Sequence, residues 1–183
     1  MLNPMRRDDP DLSLAERIQG GDEAALTELI GRYKKPILNF VYRLIGNASE
    51  ADDVAQDVFV RVFQNIRAFR PNKALFSSWL FQIARNAAID HLRKRARRRE
   101  ELLDEATPAA ASRAVENNEI GERIASAVAE LPEDQRTAFV LAEYHGKSYA
   151  EMAEIMGCSE KSVESRLYRA KQSLRTRLVD LIE

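Results

Sequence analysis

Lys161, Ser162, Ser165, Arg166, Arg169, Lys171, Arg175 and Arg177 fall outside an apolar series made of Val163, Leu167, Ala170, Leu174, Leu178 and Leu181. On one helix that spacing separates a polar, basic face from a core face. The chemistry open to the basic face is nucleic-acid recognition. Arginine pairs bidentately with guanine O6 and N7, and lysine supplies phosphate affinity that falls with salt. A solvated face on an ordinary helical hairpin is the plainer alternative.

A second group mixes Phe69, Phe76, Trp79 and Phe81 with Arg70, Lys73, Arg85 and the run Arg93, Lys94, Arg95, Arg97, Arg98 and Arg99. Aromatic faces stack on unpaired bases while cations follow the strand, and a protein that opens a duplex must hold the base it removes. The same rings serve equally as core. A third group, Asp53, Gln56, Asp57, Val60 and Arg61, shares one helical face. Two carboxylates four apart suggest acid–base or metal chemistry, but no histidine, further carboxylate cluster or glycine-rich loop converges on them. A solvated face or a protein-docking face remains. His91, His145 and Cys158 are isolated, without zinc-ligand spacing. No metal, cofactor or catalytic constellation is expected, so the chain reads as a protein that is not an enzyme.

The elements that position these groups are helical. The chain has 183 residues with 45% hydrophobic and 31% charged content, and only seven glycines and six prolines. That composition favours helix. Residues 1–12 read as a polar tail and 13–99 as a first helical domain. Within it, Pro36 is expected to kink or break one helix, and Ser49 with Asp52 to cap the next. The sign of the charge then reverses from Glu100 onward, with Thr107 and Pro108 lying between the acidic residues, so 100–118 reads as an acidic, flexible linker. Residues 119–183 form a second helical domain, with Pro132 at a helix start. There Ser148 and Glu151 frame a capping box and Gly157-Cys158-Ser159 a tight turn. A short helix, that turn and a long helix match a helix-turn-helix, with Ala150 and Ala153 allowing close approach and Gly157 taking a left-handed backbone. The fold expected is all-α, two helical domains on a flexible linker. The N-terminus lacks a secretory signal and no apolar run reaches membrane-spanning length, so a cytoplasmic protein without direct membrane insertion is expected.

At this point the residues resemble a known family. The stretch ADDVAQDVFVRVF and onward, 51–98, resembles the sigma-2 domain of extracytoplasmic-function sigma factors. The stretch from ELPEDQRTAF through GKSYAEMAEIMGCSEKSVESRLYRAKQSLR, ending at Arg175, resembles their sigma-4 domain. The resemblance implies that Asp53, Gln56, Asp57 and Val60 dock on bacterial core RNA polymerase. It implies that Phe69, Arg70, Asn72, Lys73, Phe76 and Trp79 surround a flipped base of the −10 promoter element, with Asn86, Asp90 and Arg93 near that strand. Lys161, Ser162, Glu164, Ser165, Arg166, Tyr168 and Arg169 would face the −35 element. Glu164 departs from the basic residue many relatives carry, and a carboxylate there either accepts from cytosine N4 or repels phosphate.

The function expected is that of a sigma factor, with promoter DNA and core polymerase as partners and an anti-sigma factor as a further one. A free-standing helix-turn-helix regulator explains the second domain but leaves the aromatic–basic segment and the α-helical acidic face idle. A sequestering interaction protein leaves the DNA-facing charges unexplained.

Overall fold

The computed structural model describes residues 9–71, 74–103 and 119–179, and all regular structure among them is helical. The first half holds α1 (Leu12–Gln19), α2 (Glu23–Ile45), α3 (Ala48–Asn65), a single 3-10 turn (Ile66–Ala68) and α4 (Phe76–Leu103). The second holds α5 (Glu119–Ala129), α6 (Glu133–Glu143), α7 (Tyr149–Met156) and α8 (Glu160–Arg177).

Local chemistry sets most boundaries. Asp22 caps α2 by accepting from the Ala24 and Ala25 amides, and Gly46 ends it with φ 76°. Pro36 does not break α2 into two helices: the helix runs through it. Ile37, Phe40 and Val41 just beyond are wholly buried, and burying such side chains offsets the one backbone hydrogen bond that proline removes. The cap of α3 is Asn47, not Ser49. Asn47 has the extended backbone a cap needs, and its side chain accepts from the Glu50 amide at 3.0 Å. Pro132 likewise precedes α6 as its cap instead of opening its first turn. The capping box at Ser148 and Glu151 forms as expected, and Gly157 ends α7 with φ 63°.

In the first half α2, α3 and α4 enclose Phe40, Val41, Val58, Phe69, Phe76 and Leu80. The end of the expected tail is part of this body. Asp9 accepts the Phe76 amide at 2.7 Å, a service at the start of α4. Asp11 is 3% exposed and accepts from both Arg32 and Tyr33. Burial, then that hydrogen bond, holds the Tyr33 phenol protonated well above its ordinary range.

In the second half α6, α7 and α8 bury Leu141, Met152, Ile155, Val163, Leu167 and Ala170. Ala153 packs against this core, whereas Ala150 is exposed, one residue round the helix from the interface. Close approach of α7 and α8 therefore rests on Ala153 alone of the two.

The halves meet along a seam of α2 and α4 against α6 and α7. Arg136 reaches across it to the Leu44 carbonyl at 2.7 Å and also holds the Leu131 carbonyl at 3.0 Å. The Leu44 carbonyl lies in the last turn of α2, where carbonyls have no partner within their own helix. His145 stands edge-on to Phe40 and Phe81, at 5.6 and 5.0 Å between ring centres. The Arg43 guanidinium lies 3.4 Å over the Tyr144 ring. The seam is imperfect: Arg85 Nε, Arg136 Nε and His145 Nε2 are buried without a hydrogen-bond partner among the described residues. Such groups cost about 1–3 kcal/mol each.

His145 makes the seam sensitive to acid. Burial, then the charges of Lys147 and Arg43, lowers its pKa to about 4 from an unperturbed 6.5. The unfolded chain therefore takes up this proton first as pH falls. The full contribution is present above about pH 6.5 and is lost as pH drops through that window towards 4. With the ring partly open to solvent, the loss at pH 5 is about 1 kcal/mol. Urea midpoints at pH 7 and pH 5 test this. The native chain is expected to lose more stability than His145→Gln, and equal losses would remove His145 as the cause.

Candidate nucleic-acid interface

The outward face of α3 carries Asp53, Gln56, Asp57 and Val60 together, all exposed. Its turns alternate inward Val54, Val58 and Val62 with this outward set, which follows from the 3.6-residue period. Gln56 donates to Asp52 at 2.8 Å. Val60 is 54% and Phe63 55% exposed, so the face is acidic with an apolar edge. Phe63 follows Phe59 by four residues, the spacing of an apolar series, yet it faces solvent.

The aromatic segment divides. Phe69 and Phe76 are in the core, at 2% and 0% exposure, packed edge to face with ring centres 5.2 Å apart. Neither presents a ring to a base in this conformation. Their burial has a physical reason: Gln19 of α1 holds the Ile66 carbonyl at 2.9 Å, which draws the segment against the helices beneath it. Trp79 leans on both rings at 5.4 and 5.7 Å and keeps part of its surface open. Arg70 is exposed and folds back on the Phe69 carbonyl at 3.1 Å. Asn72 and Lys73 lie outside the described residues. Asn86, Asp90 and Arg93 share one exposed strip of α4, and Asp90 faces Arg61 of α3 at 3.7 Å. The basic run continues α4 as helix, so Arg93 to Arg99 form an extended cationic rod. At its base Glu50 takes His91 at 2.7 Å and Arg95 at 3.0 Å. Burial raises the Glu50 pKa, but those two partners outweigh it and hold the carboxylate ionised below its usual range.

On α8, Lys161, Glu164, Ser165, Tyr168 and Arg169 are exposed. Tyr168 is the most open of the large hydrophobic side chains among the described residues, at 64%. Ser162 is half-buried, its amide engaged by the capping Ser159 at 3.2 Å. Arg166 is turned away from this face. Its guanidinium donates to Cys158 Sγ and meets the Asp134 carboxylate, both at 3.0 Å. Lys171 pairs with Glu143 at 2.8 Å. Tyr149, at the start of α7 and 44% exposed, joins Lys161, Glu164, Ser165 and Tyr168 around a shallow groove of about 410 Å³. Two exposed aromatics beside lysine and serine on a helix-turn-helix give stacking or methyl contacts next to phosphate and base-edge donors.

Two family models match the chain: Sigma-70 region 2 over residues 29–98, and Sigma-70 region 4 over residues 121–174. The RNA polymerase sigma-H factor of Pseudomonas aeruginosa is 34% identical, covering 97% of this chain and 98% of that protein. The ECF RNA polymerase sigma factor SigW of Bacillus subtilis is 32% identical over 91% of this chain and 95% of its own length. The chain is an extracytoplasmic-function sigma factor of the sigma-70 family. Among solved structures, sigma factor RpoE of Bartonella quintana, in complex with the anti-sigma factor NepR, is 27% identical. It superposes with a TM-score of 0.70, covering 83% of this chain and 95% of that one.

The sigma factor's function is thereby fixed: it acts with RNA polymerase to direct initiation of transcription at promoters. No helix among its described residues is long and apolar enough to cross a membrane. Three surface residues of this sigma factor escaped the sequence reading. Tyr149 was visible only as the first residue after a cap. Phe63 follows the apolar spacing of α3 yet is 55% exposed. Asp134 is in the first turn of α6, where a carboxylate suits the helix N-terminus, and its long-range partners Arg85 and Arg166 are 49 and 32 positions away with no periodic signal to join them.

Proposed function

We propose that three surfaces divide the work of initiation in this sigma factor. The α3 face of Asp53, Gln56, Asp57 and Val60 docks on core polymerase. Asn86, Asp90, Arg93 and the edge of Trp79 border the −10 strand, with Arg70 in reach of its phosphates. Lys161, Glu164, Ser165, Tyr168 and Arg169 enter the major groove at the −35 element. The observation that carries this reading is the separation of roles on the surface. Each set is exposed on its own helix, while the rings that the same sequence region offers, Phe69 and Phe76, are spent on the core. Residues 13–99 and 119–183 serve as the polymerase and −10 module and the −35 module. The stretch 100–118 joins them. The sigma factor lends binding energy and does no covalent chemistry of its own; base capture offsets lost stacking. It works in the cytoplasm, and a protein partner of the anti-sigma class regulates it. The relative from Bartonella quintana, solved with such a partner, supports that last assignment.

Run-off transcription with core polymerase on a genomic fragment library, with RNA 5′ ends mapped, tests the division. Chain-dependent starts preceded by a common pair of elements are expected. Asp57→Lys is expected to weaken core binding about tenfold, since reversing a charge at an interface places like charges together. Asp57 is exposed, so the urea midpoint should not move. Unchanged core affinity would remove α3 as the docking face.

A further inference from the structure

Both ends of the segment that carries Arg70 are held by residues from the start of the chain. At its entry, Gln19 at the end of α1 donates through Nε2 to the Ile66 carbonyl at 2.9 Å and to the Phe69 carbonyl at 3.4 Å, across 47 and 50 positions. At its exit, the Asp9 carboxylate accepts the Phe76 amide at 2.7 Å, across 67 positions. The first turn of α4 has no acidic residue of its own, so Asp9 supplies the acceptor and the charge that a helix start favours. Asp9 is itself fixed. Its other oxygen accepts the Asp11 amide at 3.0 Å, and Asp11 is held by Arg32 and Tyr33 of α2. The Trp79 ring rests on Phe69 and Phe76, the two residues whose backbone is held in this way.

We propose that Gln19 and Asp9 are positioning residues for −10 recognition: without touching DNA, they fix where Arg70 and the open edge of Trp79 stand. Gln19 has a second task. The Phe69 carbonyl has two donors, Gln19 and Arg70, whose Nη1 reaches it at 3.1 Å and also folds onto the Arg67 carbonyl. A carbonyl oxygen accepts two hydrogen bonds. When the exposed Arg70 swings to a phosphate, Gln19 still satisfies the Phe69 carbonyl, so the arginine leaves without orphaning it. This inference rests on the assignment of Arg70, Trp79 and Asn86 to the −10 strand.

The full chain, reconstituted with core polymerase on forked DNA bearing the −10 element mapped by run-off transcription, tests it. Gln19→Ala and Asp9→Ala are each expected to weaken binding to that fork about fivefold, the worth of one side-chain hydrogen bond or helix cap. Preference over forks substituted within the −10 element should fall with it, while −35 duplex affinity and core affinity stay. Asp9→Asn keeps an acceptor for the Phe76 amide and should bind as the native chain does. In the free chain, acrylamide quenching of Trp79, the only tryptophan, should rise in both alanine variants. Unchanged quenching and fork affinity overturn the proposal, as does a loss equal on the fork and on the −35 duplex, the mark of general destabilisation. Asn86→Ala, on the exposed strip of α4, separates the failures. If it weakens fork binding while Gln19→Ala and Asp9→Ala do not, the positioning role alone has failed. If none of the three weakens it, the −10 assignment of this surface has failed as well.

Discussion

Phe76→Ala is expected to destabilise the first half by about 3–5 kcal/mol, the range for emptying a buried phenylalanine site. The ring is wholly buried. It meets Phe69 at 5.2 Å, Trp79 at 5.7 Å and Tyr33 at 6.4 Å, so truncation removes the centre of an aromatic cluster as well as apolar area. The site collapses poorly, because the Phe76 amide is held by Asp9 and the preceding segment by Gln19. Trp79 is the only tryptophan in the chain, so its fluorescence reports directly on this cluster during urea unfolding. Phe63→Ala, at a ring 55% exposed, is the control and should shift the midpoint little. Were Phe76 a stacking platform, its loss would instead leave the midpoint in place and change −10 preference.

The fate of the aromatic segment shows what sequence does and does not reveal. Helices were legible wherever apolar residues recur at three and four: α3, α6, α7 and α8 lie close to their expected spans, and the capping box and Gly157 turn form as read. Caps set by a side chain two residues from the best-looking motif, as at Asn47, were not, because an asparagine and a serine offer the same acceptor and only backbone geometry chooses between them. The proline in α2 does not end the helix, because the buried residues that follow it offset its local cost. Tyr149 and Asp134 were missed for a different reason. Nothing periodic marks a residue whose partners come from other helices, and a charge on a helix terminus has a sufficient local explanation. The faces of α3 and α8 were legible because each has a single-helix logic: core on one side, everything else on the other.

That same logic fails for one residue on α8, with a measurable consequence. Arg166 and Arg169 are three apart and looked equivalent as base readers. The structure separates them. Arg169 is exposed with no ion pair among the described residues, beside Ser165 and Tyr168, whereas Arg166 is held by Asp134 and Cys158. Arg169→Ala is expected to weaken −35 duplex binding by about 1–3 kcal/mol, concentrated on one base pair. A reader loses affinity for its own base and little for substituted ones, whereas a phosphate contact weakens all sequences alike and lowers the salt slope. Arg166→Ala should act through shape instead. Removing it breaks the hold on α6, so thermal stability falls while base preference stays put, and Asp134 is left to Arg85 alone. Anisotropy titrations of the full chain on a set of single-base-substituted −35 duplexes, at two salt concentrations, distinguish the cases. A base-specific loss at Arg166 with none at Arg169 would reverse the assignment and imply that Arg166 leaves Asp134 when DNA arrives. A uniform loss at Arg169 would make it a phosphate contact and shift base reading to Lys161, Glu164, Ser165 and Tyr168, the exposed side chains that remain on that face.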